Sequence, residues 1–299
     1  MALTINNNLM AATAARNLNS AYSKLSTSTQ RLSSGLRINS SADDAAGLAV
    51  RELMRADIAS LNQGVRNAND AISLIQTADG ALQVIDEKLI RMKELAEQAA
   101  TGTYTSDQRL IIDSEYQAMA SEITRIANAT DFNGIYLLNG NLSSSTHNGS
   151  GLNSTGKLKV HFGSGNLSAE DYYYVQIGTS TASAFGLGIG AASSSTNAGR
   201  SISTQELAQL ALDKINDAIV SKDKIRANLG ALQNRLENTI SNLEIQAENL
   251  QAAESQISDV DVATEMTEFV REQILTQSAV AMLSQANSLP KMALNLIQG

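Results

Sequence analysis

The sequence has no cysteine and no tryptophan, a single proline, and only 4% aromatic residues. Without cysteine, the chain forms no disulfide, has no thiol nucleophile and offers no cysteine ligand to zinc. Two histidines, His147 and His161, are too few for a histidine metal site or to favour a catalytic triad. We therefore expect a non-enzymatic protein with no cofactor and no bound metal. Because proline interrupts helices, its scarcity also permits long helices.

Positive charge and long apolar runs are scarce as well. The 299 residues carry a formal net charge of −8, which argues against nucleic acid as a partner, since phosphate binding needs a positive field. No run of about 18 apolar residues predicts a membrane-spanning helix. The first ten residues lack the basic and apolar regions of a cleaved signal peptide. We expect neither nucleic acid nor membrane among the partners.

Glycine divides the chain into a loop-rich middle and two helical flanks. Twelve of the 19 glycines lie in 131–200, and 32 of the 60 residues in 141–200 are Gly, Ser, Thr or Asn. Within this segment, 157–162 alternates polar and apolar residues and 172–177 is rich in β-formers. Asn-Gly pairs at 133–134 and 139–140 indicate turns. The pattern predicts a small β-rich segment over 131–200.

Both flanks carry apolar residues at heptad spacing, which is typical of coiled coils and helical bundles. The stripes run through Leu18, Tyr22, Leu25, Thr29, Leu32 and Leu36; Ile58, Leu61, Val65, Ala68, Ile72, Ile75, Asp79 and Leu82; Ile112, Tyr116, Met119, Ile123 and Ile126; Ile225, Leu229, Leu232, Leu236, Thr239 and Leu243; and Met266, Phe269, Ile274, Leu283, Leu289 and Met292. The predicted fold is mainly α, with long antiparallel helices in coiled-coil or bundle packing and a β-hairpin-rich insertion in the middle.

The two ends of the chain have opposite charge. Residues 1–42 hold four basic residues and no acid, whereas 237–299 hold nine acids against Arg271 and Lys291. We predict that these ends pair as antiparallel helices, with charge selecting partner and register and apolar burial giving stability. A two-helix element rich in small and polar residues leaves most of its surface exposed, so it should become ordered only when other copies cover it.

Several long motifs resemble bacterial flagellin. They are the N-terminal segment Met1-Ala-Leu-Thr-Ile-Asn-Asn-Asn-Leu9, Leu32-Ser-Ser-Gly-Leu-Arg-Ile-Asn39, Asp43-Asp-Ala-Ala-Gly-Leu-Ala49, Ile90-Arg-Met-Lys-Glu-Leu-Ala96, Phe132-Asn-Gly134 and Gln285-Ala-Asn-Ser-Leu-Pro-Lys-Met292. The resemblance covers roughly 1–140 and 201–299. It implies a subunit that assembles into the extracellular flagellar filament for swimming, in a short form without outer domains.

The same resemblance implies a domain division and a set of partners. Residues 1–42 plus 257–299 would form an inner terminal helical domain, and 43–256 an outer helical domain that includes 131–200. The implied partners are further copies of the chain, the flagellar type III export apparatus, a cytoplasmic chaperone on the C-terminal segment, and the hook-associated and cap proteins. The assembly seams are predicted at Leu18, Tyr22, Leu25, Leu32, Leu36, Phe269, Ile274, Leu283 and Leu289.

Recognition by Toll-like receptor 5 in animal hosts is a further implication of the resemblance. The arginine, leucine and glutamate through which the family contacts that receptor match Arg91, Leu95 and Glu115. The alternative interpretation of these residues is a solvated charged face beside a packed leucine. O-linked glycosylation is also implied for exposed hydroxyls of the middle segment, at Ser143, Ser144, Ser145, Ser193, Ser194 and Ser195.

The sequence is also compatible with other functions. A hook–filament junction protein would share the terminal motifs. An enzyme carried on 131–200 would have only two histidines and three acidic residues as catalytic groups, which is too few to favour this function. The acidic pairs Asp43–Asp44 and Asp259/Asp261 could suggest a metal site, but Asp43 and Asp44 are better interpreted as helix caps.

Overall fold

The computed structural model describes residues 8–148, 155–168, 170–188 and 199–298. Within this part of the chain, five helices dominate, as the sequence predicts. They are α1 (Leu9–Ser34), α2 (Ala45–Ala100), α3 (Ser106–Ala129), α4 (Gln205–Ser258) and α5 (Val262–Gln298). None of the described helices is long and apolar enough to cross a membrane.

The chain forms two compact units. The terminal unit consists of 1–58 and 248–299, and the middle unit consists of 59–247. Helices α2 and α4 each contribute residues to both units. The terminal unit therefore contains α1, α5 and one end of each of these two helices.

The middle unit has a continuous apolar core built on the predicted heptad stripes. Fully buried side chains come from each of its three helices, for example Leu82 from α2, Ile123 from α3 and Leu229 from α4. Others in the same cluster are Ile75, Ile85, Leu89, Met92, Tyr116, Ile215 and Leu236. The stripes predicted in these helices are thus confirmed, because large apolar residues at heptad spacing fill the space between them.

Polar contacts also join the helices of the middle unit. The buried ammonium of Lys222 on α4 lies 2.5 Å from Asp86 of α2, and Arg226 lies 2.7 Å from Asp79. Burial raises the pKa of the Tyr116 phenol, which donates a hydrogen bond to the carbonyl oxygen of Gly199. These contacts fix α3 and α4 against their neighbours at defined positions.

Helix ends follow the local signals of the sequence. Thr105 and Gln108 form a capping box at the start of α3. Asp44 caps α2 by accepting a hydrogen bond from the Gly47 amide, as predicted. Asp43 instead closes the preceding turn by accepting hydrogen bonds from the amides of Ser40 and then Asn39, which lower its pKa. The carboxylate therefore orders the segment that leads into α2.

Three two-stranded antiparallel sheets lie in the described part of the middle segment, joined by turns and loops. Their strands are β1 (Asp131–Phe132), β2 (Ile135–Tyr136), β3 (His147–Asn148), β4 (Thr155–Gly156), β5 (Leu158–His161) and β6 (Tyr172–Val175). The predicted turn at Asn133–Gly134 joins β1 to β2, and both of its residues have positive φ, as a type I′ turn requires. Strands β5 and β6 lie within the two β-prone runs and pair with each other.

The loop between β5 and β6 is organised around the Asp171 carboxylate. Its oxygens accept hydrogen bonds from the amides of Leu167 (2.7 Å) and Gly165 (3.1 Å), and the Leu167 bond is the main cause that lowers the Asp171 pKa. A Cβ on Gly163 would collide with the same carboxylate. The loop therefore depends on a charged Asp171 and on a glycine at 163.

Replacing Asp171 with Asn is expected to lower the melting temperature of the middle unit at pH 7. A carboxylate with a depressed pKa stabilises the folded state above its unfolded pKa, and this contribution disappears as pH falls through the folded value. The difference from the parent protein should therefore shrink as pH falls below about 4. Calorimetry across pH checks this, with Glu170→Gln as the charge-matched control. A difference that is independent of pH would contradict it.

Candidate functional site

The terminal unit contains an antiparallel pair of helices formed by the two ends of the chain. At one end of the pair, the Asn8 side chain donates a hydrogen bond to the carbonyl oxygen of Ala286, 2.8 Å away. At the other end, Leu36 and Asp259 form an antiparallel bridge. Gly35 ends α1 with φ of 74°, which lets its amide bond back to Arg31. The predicted antiparallel pairing of the two ends is confirmed.

The buried line between α1 and α5, here called the terminal seam, consists of small and polar residues. It contains Ala21, Ser28, Glu265, Glu272, Thr276 and Ala286, each no more than 9% exposed. Leu18, Leu25 and Leu32 flank this line and are half-buried. The pair thus buries little large apolar surface, and its intrinsic stability is correspondingly small.

Ion pairs between the oppositely charged ends cross the terminal seam. Lys24 lies 3.9 Å from the Glu272 carboxylate, and Arg31 lies 3.6 Å from that of Glu265. The Ser28 hydroxyl donates a 2.5 Å hydrogen bond to Glu265. The charge difference read from the sequence is therefore realised as specific contacts between α1 and α5.

Several large apolar side chains of the helix pair are exposed to solvent. This exposed apolar set comprises Leu9, Met10, Tyr22, Met266, Val270, Ile274, Leu275, Val280 and Met282, which are between 43% and 74% exposed. Four of them also line an open groove of 630 Å³ between the two helices. Residues that would ordinarily fill a core are thus presented to solvent along both helices, which is typical of an interaction surface.

The residues predicted to form assembly seams occupy different environments. Leu36, Phe269 and Leu283 are half-buried like the three leucines named above, whereas Tyr22 and Ile274 are 51% and 57% exposed. The side chain of Leu289 lies outside the described residues. Their role in assembly stays a prediction.

Sequence reasoning missed the polar residues of the terminal seam. Glu265 and Glu272 were counted only as part of the acidic C-terminal charge. Their spacing of seven residues, which equals the spacing of Lys24 and Arg31, is the signal that could have identified them.

A second candidate site lies on the middle unit, where the predicted receptor residues are found. The guanidinium of Arg91 on α2 lies 2.8 Å from Glu115 on α3 and 2.9 Å from Glu94. Hydrogen bonds to Glu94 and then Glu115 raise the pKa of Arg91. Leu95 is 1% exposed and belongs to the core beneath this pair. The structure therefore brings Arg91 and Glu115 together at the surface and leaves Leu95 inside.

The predicted glycosylation sites are only partly described. Ser144 and Ser145 are exposed, whereas Ser143 is half-buried and donates a hydrogen bond to the Gly140 carbonyl oxygen. Ser193, Ser194 and Ser195 lie outside the described residues. Exposure makes Ser144 and Ser145 the better candidates of the described three, and their modification stays a prediction.

Two family models match the chain. The bacterial flagellin N-terminal helical region matches residues 5–143, and the bacterial flagellin C-terminal helical region matches residues 212–297. The sequence is 41% identical to the flagellin of Halalkalibacterium halodurans over 296 residues, covering 99% of this chain and all of that protein. It is also 41% identical to the flagellar filament 33 kDa core protein of Treponema phagedenis over 297 residues, with the same coverage. The crystal structure of Bacillus cereus flagellin is 27% identical, covers 63% of this chain and 94% of that one, and has a TM-score of 0.45.

Proposed function

Because the chain belongs to the bacterial flagellin family, and is thus a structural subunit of the flagellar filament, we propose that it polymerises through its terminal helix pair. The observation that carries this proposal is the exposed apolar set on α1 and α5. Neighbouring copies would bury these side chains, and that burial would drive ordering of the helix pair. Contacts between different surfaces of successive copies extend without closing, which gives a helical filament.

Ile274→Asp tests this proposal at one exposed position. Ile274 is 57% exposed, so the free subunit should tolerate the change, whereas a neighbouring copy would lose an apolar contact and face a buried charge. Burying an isoleucine is worth about 1.5–3 kcal/mol, so we expect the critical concentration for polymerisation to rise about tenfold to a hundredfold. Sedimentation and negative-stain microscopy of the purified protein in high salt measure this directly.

Gln273→Asp provides the matched control for that experiment. It adds the same charge at the exposed neighbouring position and removes no apolar surface. If both variants raise the critical concentration equally, charge rather than apolar burial controls growth. If neither changes it, the terminal helices are not the polymerising surface.

The flagellar type III export apparatus, a cytoplasmic chaperone on the C-terminal segment, and the hook-associated and cap proteins are proposed as further partners. The C-terminal helix supports the chaperone proposal, because its exposed apolar residues would need cover before assembly. A division into an inner domain (1–42 and 257–299) and an outer domain (43–256) is also proposed. It is supported by the presence of α1 and α5 together in the terminal unit. The proposed location is extracellular, in the filament.

Toll-like receptor 5 is proposed as a host partner on the basis of the Arg91–Glu115 pair. The pair is exposed and crosses from α2 to α3, so it offers a receptor one cation and one carboxylate at a fixed separation. Leu95 would act by packing beneath the pair rather than by touching the receptor, because it is 1% exposed.

Arg91→Ala and Glu115→Ala are each expected to weaken receptor binding by about tenfold or more, because a central charged anchor is lost. Binding of the purified monomer to the receptor ectodomain measures this. Arg125→Ala is the control, since Arg125 forms a comparable exposed ion pair with Glu122 on α3. An equal loss in all three variants would indicate a general charge effect and would contradict the assignment.

A further inference from the structure

The terminal seam holds two carboxylates where a helix pair ordinarily places apolar side chains. Glu265 is 9% exposed and Glu272 is 3% exposed. Removing a carboxylate from water carries a large desolvation penalty, and replacing a buried ion pair with apolar residues is often neutral or stabilising. Maximal stability of the helix pair therefore does not explain these glutamates. Buried polar groups in helix seams have a better attested role, which is to specify register.

The geometry of the two pairs fits that role. Lys24 and Arg31 are seven residues apart on α1, and their partners Glu272 and Glu265 are seven residues apart on α5. In an antiparallel pair, this spacing satisfies both glutamates in one alignment. A slip of one heptad in either direction leaves one of the two ion pairs between the helices and removes the other. Glu272 keeps a contact of 3.6 Å with Arg271 of its own helix in any alignment, so the penalty is largest for the slip that separates Glu265 from Arg31.

Apolar contacts alone discriminate poorly between such alignments. The residues that share the terminal seam with the glutamates include Ala21, Thr276 and Ala286, which are small and similar in shape. The half-buried leucines at 18, 25 and 32 repeat every seven residues, so a one-heptad slip replaces each leucine with the next. Within the seam, the free-energy cost of a slip therefore comes from the charged residues.

We infer that the Lys24–Glu272 and Arg31–Glu265 pairs act as a register lock, which restricts the terminal helix pair to the single alignment that can join a filament. The lock rests on the proposed function, since it selects the alignment that neighbouring copies then stabilise. The hydrogen bond from Ser28 to Glu265 belongs to the lock because it is satisfied in the same alignment. Glu265 and Glu272 are thus specificity-determining residues for self-assembly.

Because the sequence lacks cysteine, introduced cysteine pairs report the alignment directly. Ala14 and Ala279 both line the groove between the helices and serve as the native reporter. Ala286 lies opposite Asn8 in the native alignment, so a pair at Ala14 and Ala286 reports a slip of about one heptad. Such a slip moves α5 by about 10 Å, well beyond the range of a disulfide.

Protein that carries either reporter pair is placed under polymerising conditions and separated into filaments and unpolymerised subunits. Both fractions are then oxidised and analysed by gel electrophoresis under denaturing conditions. With Glu265 and Glu272 intact, only the native reporter should cross-link. With Glu265→Met and Glu272→Met together, the slipped reporter should cross-link as well, among the unpolymerised subunits, and filament yield should fall. Cross-linking of the native reporter alone in that variant would overturn the lock and would assign the register to the Leu36–Asp259 bridge.

An exchange of charges separates the lock from a general structural effect. Arg31→Glu and Glu265→Arg should each raise the critical concentration about tenfold or more, because like charges then face each other. The two changes combined should return it to within about threefold of the parent. A combination no better than the worse single variant would contradict the lock. Failure of the parent protein to polymerise at all would instead refute the proposed function.

Discussion

Removal of residues 1–20 or of residues 280–299 is expected to abolish filament formation and to leave a folded, soluble middle unit. The first deletion removes most of the α1 side of the α1–α5 groove, including Leu9 and Met10, and the second removes Met282 from its α5 side together with the last part of α5. The middle unit, by contrast, has its own core of side chains from α2, α3 and α4. Sedimentation should show no polymer, while circular dichroism should retain the melting transition of the middle unit.

The melting transition in the same sample serves as the control for this experiment. If it shifts strongly, the deletion has damaged the fold of the middle unit and loss of polymer has a different cause. Filaments formed in normal yield by either truncated chain would contradict the assignment of assembly to the terminal helix pair.

Leu89→Ala is expected to destabilise the middle unit by about 3 kcal/mol, because it removes a fully buried side chain and leaves a cavity in a packed core. Ile90→Ala is the matched control. Ile90 is the next residue of the same helix and is 49% exposed, so its replacement should change the free energy of unfolding by less than about 0.5 kcal/mol.

Urea denaturation followed at the transition of the middle unit measures both free energies. Equal losses in the two variants would contradict the placement of Leu89 in the core. The same experiment shows whether the middle unit unfolds as one cooperative element. A cooperative element gives a single transition with one midpoint.

The helices of the middle unit could be predicted from the sequence because their heptad stripes consist of large apolar residues. Leu82, Ile123 and Leu229 lie on the predicted stripes and are buried. The turn at Asn133–Gly134 could also be predicted from the sequence, since its backbone conformation favours those two residue types. The pairing of the strands could not be predicted from local sequence in this way. The register that places Leu158 opposite Val175 depends on contacts between distant parts of the chain.

The terminal seam could be predicted only in outline. Opposite charge at the two ends indicated that they pair, but the apolar stripe gave equal weight to Leu18 and Tyr22. The structure leaves Tyr22 51% exposed and buries Ala21 instead, next to glutamates that an apolar pattern does not count. A pattern based on large apolar residues therefore predicts where the helices lie. It does not identify the polar residues that distinguish one alignment of the helices from another.

The central claim is that the terminal helices become stably ordered only when neighbouring copies cover them. Amide hydrogen exchange in the dilute monomer and in the filament tests it most directly, because exchange reports local opening along the chain. We predict rapid exchange in α1 and α5 of the monomer, slow exchange in both helices of the filament, and slow exchange in the core of the middle unit in both states. Equal and strong protection of α1 and α5 in the dilute monomer would contradict the account.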